Sequence, residues 1–323
     1  MLTVIVPNYN GRQILERCLP HTLQAAERVG AEVIVVDDAS TDDSVAFLEE
    51  RFPMVRLVRH AENRGFGEAC RSGVEAADTE LVALVNSDVM PEADCFEKLI
   101  SPFEGDERLF AVSAVSVYAD NGEQYEHLKI PYLKHGHFRF KRAGGRNPET
   151  SFDPDRVTAR TATFFATGGH AVYRRRVFLE LGGFDPIYRP AYLEDVDLSY
   201  RAWKRGYRIE LEPGAKVRHE RKGSLSERYG DRALERLVYR NRLIFSWSNF
   251  TDRGFLLRHH LLPMGVRCLT RIFAGDLEFY RILFQALPYR KACRERRHKE
   301  RAAAVRSDAE VFRIVQEAYS GIG

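Results

Sequence analysis

Four short apolar runs near the N-terminus, separated by segments of helical spacing, constrain this chain more than any other feature. Leu2 to Val6, Glu32 to Val36, Val55 to Val58 and Leu81 to Val85 are rich in β-branched residues and have strand length. Between them, Asp43 to Arg51 and Phe66 to Ala77 place their apolar residues at helical intervals. Near-continuous apolar strands need cover on both faces, and helical crossovers join parallel neighbours. The expected fold class is therefore α/β: a mostly parallel, Rossmann-like central sheet with helices on both faces. Ligands of such sheets sit at the carboxyl ends of the strands. Polar clusters fall there: Pro7-Asn8-Tyr9-Asn10, Asp37-Asp38, Asn63-Arg64-Gly65 and Asn86-Ser87-Asp88 each follow one run.

Each cluster admits a structural and a chemical reading. Asp37, Ser40 and Thr41 are good caps for a following helix, but two adjacent acids at a strand end can also accept the N–H of a nucleobase. Asn86-Ser87-Asp88 could be a turn; an acid leaving a buried strand is also a hard oxygen ligand for Mg²⁺ or Mn²⁺. Gly182-Gly183-Phe184-Asp185 precedes Glu194-Asp195-Val196-Asp197-Leu198 and Arg201. Three acids at a helix start suit the helix dipole, and clustered acids also raise one another's pKa and can supply a general base. His219 follows a Pro213-Gly214 turn and precedes Gly223-Ser224. A lone histidine is commonly structural, so His219 matters only with these acids.

Together these residues resemble glycosyltransferase family 2, in its bacterial rhamnosyltransferase-like branch, over roughly residues 2 to 250. The resemblance implies an inverting, metal-dependent glycosyltransferase of GT-A fold. Pro7, Tyr9 and Asp38 would hold the nucleobase and ribose. Asn63, Gly65 and Gly67 would let backbone approach the donor, with Asn10, Arg71, Asn86 and Ser87 also on the donor side. Asp88 would bind the cation with His219 as second ligand, Asp195 would be the catalytic base, and Glu194 and Asp197 would position base or acceptor. Two departures stand out: the D-x-D element opens with Asn86, and Arg71 occupies a position where rhamnosyltransferase-type relatives often carry Asn. The implied cofactor is Mn²⁺ or Mg²⁺, the donor a nucleotide-diphosphate sugar, and the acceptor a glycan or lipid-linked saccharide of bacterial envelope polysaccharide synthesis.

Residues 118 to 160 read as a long irregular connection, Thr163 to Tyr173 as a strand region and Asp195 to Arg205 as a helix. The expected division is a catalytic domain over 1–228 and a helical extension over 229–323. In that extension Phe255 to Leu287 interleaves apolar residues with arginines, and residues 290 to 306 hold eight Lys or Arg against two Glu. Two fates are open: packing on the catalytic domain with a solvated basic rim, or lying on an anionic membrane surface. A net charge of +3 is too small to make nucleic acid the main partner. Homo-oligomerisation is left open. Five scattered cysteines form no C-x-x-C pair, the N-terminus lacks a secretory pattern, and no run of about 18 apolar residues occurs, so a cytoplasmic, at most peripheral, protein is expected. A nucleotidyltransferase would want a basic, glycine-rich loop after the first strand, where Pro7-Asn8-Tyr9-Asn10 stands. A non-catalytic saccharide-binding protein of degenerate fold predicts that Asp88 or Asp195 is missing; both are present.

Overall fold

The structure, a computed structural model, describes residues 1–118, 124–144, 147–220 and 230–322. Its strands are β1 Leu2–Asn8, β2 Glu32–Asp37, β3 Arg56–Arg59, β4 Leu81–Val85, β5 Val89–Pro91, β6 Leu109–Tyr118, β7 Gln124–Glu126, β8 Pro131–Lys134, β9 His137–Phe140, β10 Arg142–Ala143, β11 Ser151–Phe152, β12 Thr161–Ala162, β13 His170–Arg174 and β14 Arg208–His219. The main sheet runs β12-β14-β6-β13-β4-β1-β2-β3. β1 pairs in parallel with β2 and β4, β2 with β3, and β6 with β14. β13 is inserted antiparallel between β4 and β6. The sheet is mixed but mostly parallel, as the alternating pattern implied.

Period-two alternation sorts the side chains of each strand between two layers. Leu2, Val4 and Val6 join Val33 and Val35 under α1 (Arg12–Arg28), α2 (Ser44–Arg51) and α4 (Cys95–Ile100). Ile5, Ile34 and Val36 face the opposite way, toward α3 (Phe66–Ala76), α5 (Arg175–Glu180) and α6 (Glu194–Lys204). Gly73 lets α3 lie close on the sheet: a Cβ there would stand 2.3 Å from Cγ2 of Ile5.

The connection over 118–160 is less irregular than its composition suggests. β8 and β9 form an antiparallel hairpin around His135 and Gly136, both at positive φ (52° and 80°), the conformation that matches a tight turn to strand twist. The strand expected over Thr163 to Tyr173 begins only at His170, because Gly168-Gly169 forms a non-strand passage beside the site.

The C-terminal segment contains α7 (Asp231–Asn249), α8 (Arg253–Leu256), a π-turn over Leu257–Leu261, α9 (Leu262–Phe273), α10 (Leu277–Ala286), α11 (Arg290–Ala303) and α12 (Asp308–Ser320). Ile244, Phe245, Phe250, Cys293, Phe312 and Val315 share one buried cluster with Ile5, Phe164 and Trp203 of the sheet domain. The extension thus completes the core of the domain before it; the expected boundary at 228/229 lies at the edge of the undescribed residues 221–229. No helix among the described residues is long and apolar enough to cross a membrane.

Candidate active site

The ends of β1 and β2 are tied together before they present anything outward. Asn8 and Asp37 are register partners, and Asn8 Nδ2 donates to Asp37 Oδ1 at 3.0 Å. Asp37 Oδ2 accepts from the Ser40 N–H (3.0 Å), Ser40 Oγ from the Asn10 N–H (2.9 Å), and Asn10 Oδ1 from the Thr41 N–H (2.7 Å). Asn10 and Ala39 hold positive φ here (52° and 61°). The residues expected either to cap α2 or to touch the donor therefore build the loop itself; Asn10 fastens it, and Tyr9 remains exposed at the rim.

Asp38 is 3% exposed, and its carboxylate is turned inward. Oδ1 accepts from the Arg64 N–H (2.8 Å) and contacts His60 Nδ1 (2.7 Å), while Oδ2 accepts from the Gly65 N–H (2.7 Å). His60 Nε2 reaches Ser72 Oγ at 2.9 Å, and Asn63 Nδ2 donates to the Asp38 carbonyl at 3.3 Å. Asp38, expected to hold the nucleobase and ribose, fixes the ledge Asn63-Arg64-Gly65 through these bonds. Gly65 needs its positive φ of 84° to start α3. Gly67 has Phe184 over it, a Cβ there lying 3.2 Å from that side chain, and Phe66 stacks on Phe184 with centroids 5.9 Å apart. Pro7 is buried in β1 opposite Val36. Arg71 is exposed and pairs along its helix with Glu75 at 2.8 Å.

Asp88 and His219 are brought together by backbone pairing. β14 runs antiparallel to β5 with His219 opposite Val89, and the Glu220 N–H continues the ladder to the Asp88 carbonyl at 3.1 Å. His219 Nδ1 donates to the Glu220 carbonyl (2.8 Å), which turns Nε2 toward Asp88 Oδ1, 3.7 Å away. One small cation about 2.1 Å from each atom spans such a gap, and an imidazole fixed through its other nitrogen is the usual form of a histidine ligand. This oxygen–nitrogen pair fits a divalent cation. Among the described residues no group of three or more His, Cys, Asp or Glu gathers, so further ligands would come from phosphate and water. Burial pushes the Asp88 carboxyl up, and His219 opposes it. Ser224, paired with His219 in the sequence reading, lies outside the described residues.

A two-glycine strip joins this region to the second acid cluster. The Asn86 N–H donates to the Gly169 carbonyl at 2.9 Å, and the Gly168 N–H donates to Asp195 Oδ2 at 3.2 Å. A Cβ on Gly169 would stand 2.4 Å from Asn86 Nδ2. Asn86-Ser87-Asp88 and Asp195 thus flank Gly168-Gly169, and Asn86 Oδ1 and Glu194 Oε2 beside it are buried acceptors without a hydrogen-bond partner. Asp195 Oδ1 also accepts from the Val196 N–H at 2.7 Å. Burial, reinforced by Asp195, raises the Glu194 carboxyl to about 8. Tyr192 and Leu193 enter α6 at positive φ (71° and 74°), a costly conformation for such side chains. Asn241 Nδ2 on α7 holds that approach by reaching the carbonyls of Tyr188, Ala191 and Tyr192 at 3.1, 2.9 and 2.8 Å.

Asp197 does not join its neighbours at the surface. It is fully buried. Its oxygens accept from Tyr188 Oη (2.9 Å), Asn249 Nδ2 (2.6 Å), Arg201 Nε (2.9 Å) and Arg296. Sequence reasoning expected Asp197 to help position base or acceptor; two residues past Asp195, about 200° of helical rotation, its side chain points into the core. The same reasoning missed Gly168, Gly169, His60 and Asn241. Only the glycine pair left a sequence signal, a break in an apolar run.

Comparison with known proteins bears on the fold and the family. The family described as Glycosyl transferase family 2 matches residues 3–182, a span that stops before Glu194, Asp195 and His219. N-acetylglucosaminyl-diphospho-decaprenol L-rhamnosyltransferase of Mycobacterium tuberculosis is 28% identical over 236 residues, 68% of this chain and 76% of the relative. Among solved structures, residues 1–349 of S. aureus TarS in complex with UDP-GlcNAc superpose with TM-score 0.57 at 18% identity, over 99% of this chain and 91% of that 1–349 chain. GalNAc-T7 with UDP, GalNAc and Mn²⁺ gives TM-score 0.57 at 17% identity over 76% of this chain, which spans 51% of that protein. These two likenesses show the GT-A architecture, and with the match over more than half its length the chain belongs to glycosyltransferase family 2.

Proposed function

We propose that the protein transfers a glycosyl group from a nucleoside-diphosphate sugar to a hydroxyl of a glycan or lipid-linked saccharide, inverting the anomeric carbon. The observation that carries this reading is the Gly168-Gly169 strip, with the Asp88–His219 pair beyond one side and Asp195 on the other. In this reading the Gly168 and Val196 amides orient the Asp195 carboxylate toward the acceptor. Asp195 removes the hydroxyl proton as that oxygen bonds to the anomeric carbon, and the bond to the diphosphate breaks on the opposite face. Glu194, its pKa raised to about 8, stays protonated at neutral pH and adds no second negative charge beside the base. Asp88 and His219 would hold a divalent cation, whose charge would stabilise the departing diphosphate. The mycobacterial relative is named for an N-acetylglucosaminyl-diphospho-decaprenol substrate, which supports a lipid-linked acceptor here.

The test is nucleotide release across a panel of nucleotide sugars, beside thermal shift with UDP, GDP and dTDP, each with and without Mn²⁺. A ligand that binds only the folded state raises its apparent stability. One nucleotide should stabilise the protein more with Mn²⁺ than without, and Asp88→Ala or His219→Ala should abolish that increment. Absence of any nucleotide-dependent shift would overturn the proposal in favour of a degenerate, non-catalytic fold.

A further inference from the structure

The exposed apolar surface of this protein is concentrated on one short stretch. Leu262, Val266, Leu269 and Phe273 recur at i, i+4, i+7 and i+11 along α9, a single helical face, and all are exposed. The stripe continues over the turn to Leu277 and along α10 to Phe284. At the apex Phe273 is 90% and Leu277 81% exposed. The inner faces of these helices are already occupied: Met264, Phe279 and Ala286 pack with Leu243 of α7. α9 is therefore apolar both inward and outward, a pattern that water does not favour. Of the two fates open to this segment, packing accounts only for the inner face.

We infer that the α9–α10 hairpin is an interfacial anchor that inserts its outer face into an anionic lipid surface. Charge identifies the occupant. Between residues 253 and 294 the only acids are Asp276 and Glu278; Asp276 is paired with Arg271 and Glu278 with Arg236. Arg258, Arg281, Arg290 and Lys291 are exposed around the stripe. A second copy of the chain would bring this cationic rim against itself, whereas anionic headgroups complement it while acyl chains receive the apolar tip. Since no helix among the described residues is long and apolar enough to cross a membrane, the hairpin would lie in the interface. Arg296 and Arg306 take no part: Arg296 is paired with Asp185 and Asp197, and Arg306 donates to the Tyr207 carbonyl at 2.7 Å.

This inference stands apart from the donor chemistry, and its test separates the two. The full chain is sedimented with vesicles of phosphatidylcholine alone and of phosphatidylcholine with phosphatidylglycerol, at low and high salt. Binding is expected only to vesicles with phosphatidylglycerol, weakening as salt rises. Phe273→Glu combined with Leu277→Glu should weaken it about tenfold or more, as should Arg281→Glu with Lys291→Glu. Both double variants should keep the wild-type melting temperature and nucleotide-dependent thermal shift. No sedimentation at low salt, or binding indifferent to Phe273→Glu/Leu277→Glu, overturns the inference. So does a dimer in light scattering that the same variant dissociates while wild type ignores vesicles.

Discussion

Arg296, inside the most basic stretch of the chain, closes on Asp197, two residues beyond Asp195 on α6, and on Asp185 before that helix. The guanidinium joins α11 to both segments that frame the candidate base. Burial alone would raise the Asp197 carboxyl, but Arg296, Arg201, Asn249 and Tyr188 together hold it below the ordinary value.

Removing Arg296 leaves a buried carboxylate short of its largest compensating charge. Arg296→Ala is expected to cost about 3–5 kcal/mol, the range for a buried pair broken from one side. Urea unfolding would register this as a lower midpoint, and a loss below about 1 kcal/mol would mean that Arg201 and the neutral donors suffice.

Asp195→Asn keeps the side-chain shape and one of the two bonds from the Gly168 and Val196 amides, since its NH2 cannot accept the other, while removing the proton acceptor. Transfer should fall about 10²-fold or more, with the nucleotide-dependent thermal shift retained. Wild-type turnover in this variant would exclude Asp195 as the base.

Gly169→Ala tests the glycine strip. The added Cβ meets the Asn86 side chain at 2.4 Å, and that side chain leads into Asp88. Stability should fall by about 1–3 kcal/mol, and kcat by a larger factor than stability accounts for, about tenfold or more, because small misplacements of reacting groups are costly. Unchanged kcat in the folded fraction would show that Asn86 is free to move without consequence.

Glu194 makes a signed prediction about pH. Its folded pKa is raised from 4.5 to about 8, so below 4.5 both folded and unfolded states hold the proton and its contribution is fully present. Between those values only the folded state stays protonated, and stability falls as pH rises toward 8. Buried His127 and His260, both lowered to about 4, act oppositely, but only below their unfolded value of 6.5. Unfolding midpoints between pH 6.5 and 8 should therefore decline in wild type and flatten in Glu194→Gln; parallel slopes in the two proteins would refute the assignment.

Much of the fold was legible because parallel α/β packing writes itself into local periodicity. The four apolar runs became β1 to β4 within about two residues, an error ordinary for element ends, and the polar clusters after them lie at the strand ends where the site forms. The connection over 118–160 was read less well: the His135-Gly136 turn works through two positive φ angles, and the histidine gives little notice of its own.

The sequence by itself determined the layered α/β architecture, the family resemblance and the candidates Asp88 and Asp195, since each depends on residues close together along the chain. Only tertiary structure decided who faces whom. His219 reaches Asp88 through the β5–β14 register, Asp38 turns inward onto backbone amides from α3's entry, and Asp197 is claimed by Arg296. Local pattern fixes which face of an element is apolar or charged, but not which distant element covers it. That is why Arg296 could be withdrawn into the core while Phe273 and Leu277, equally eligible for burial by composition, remain outside.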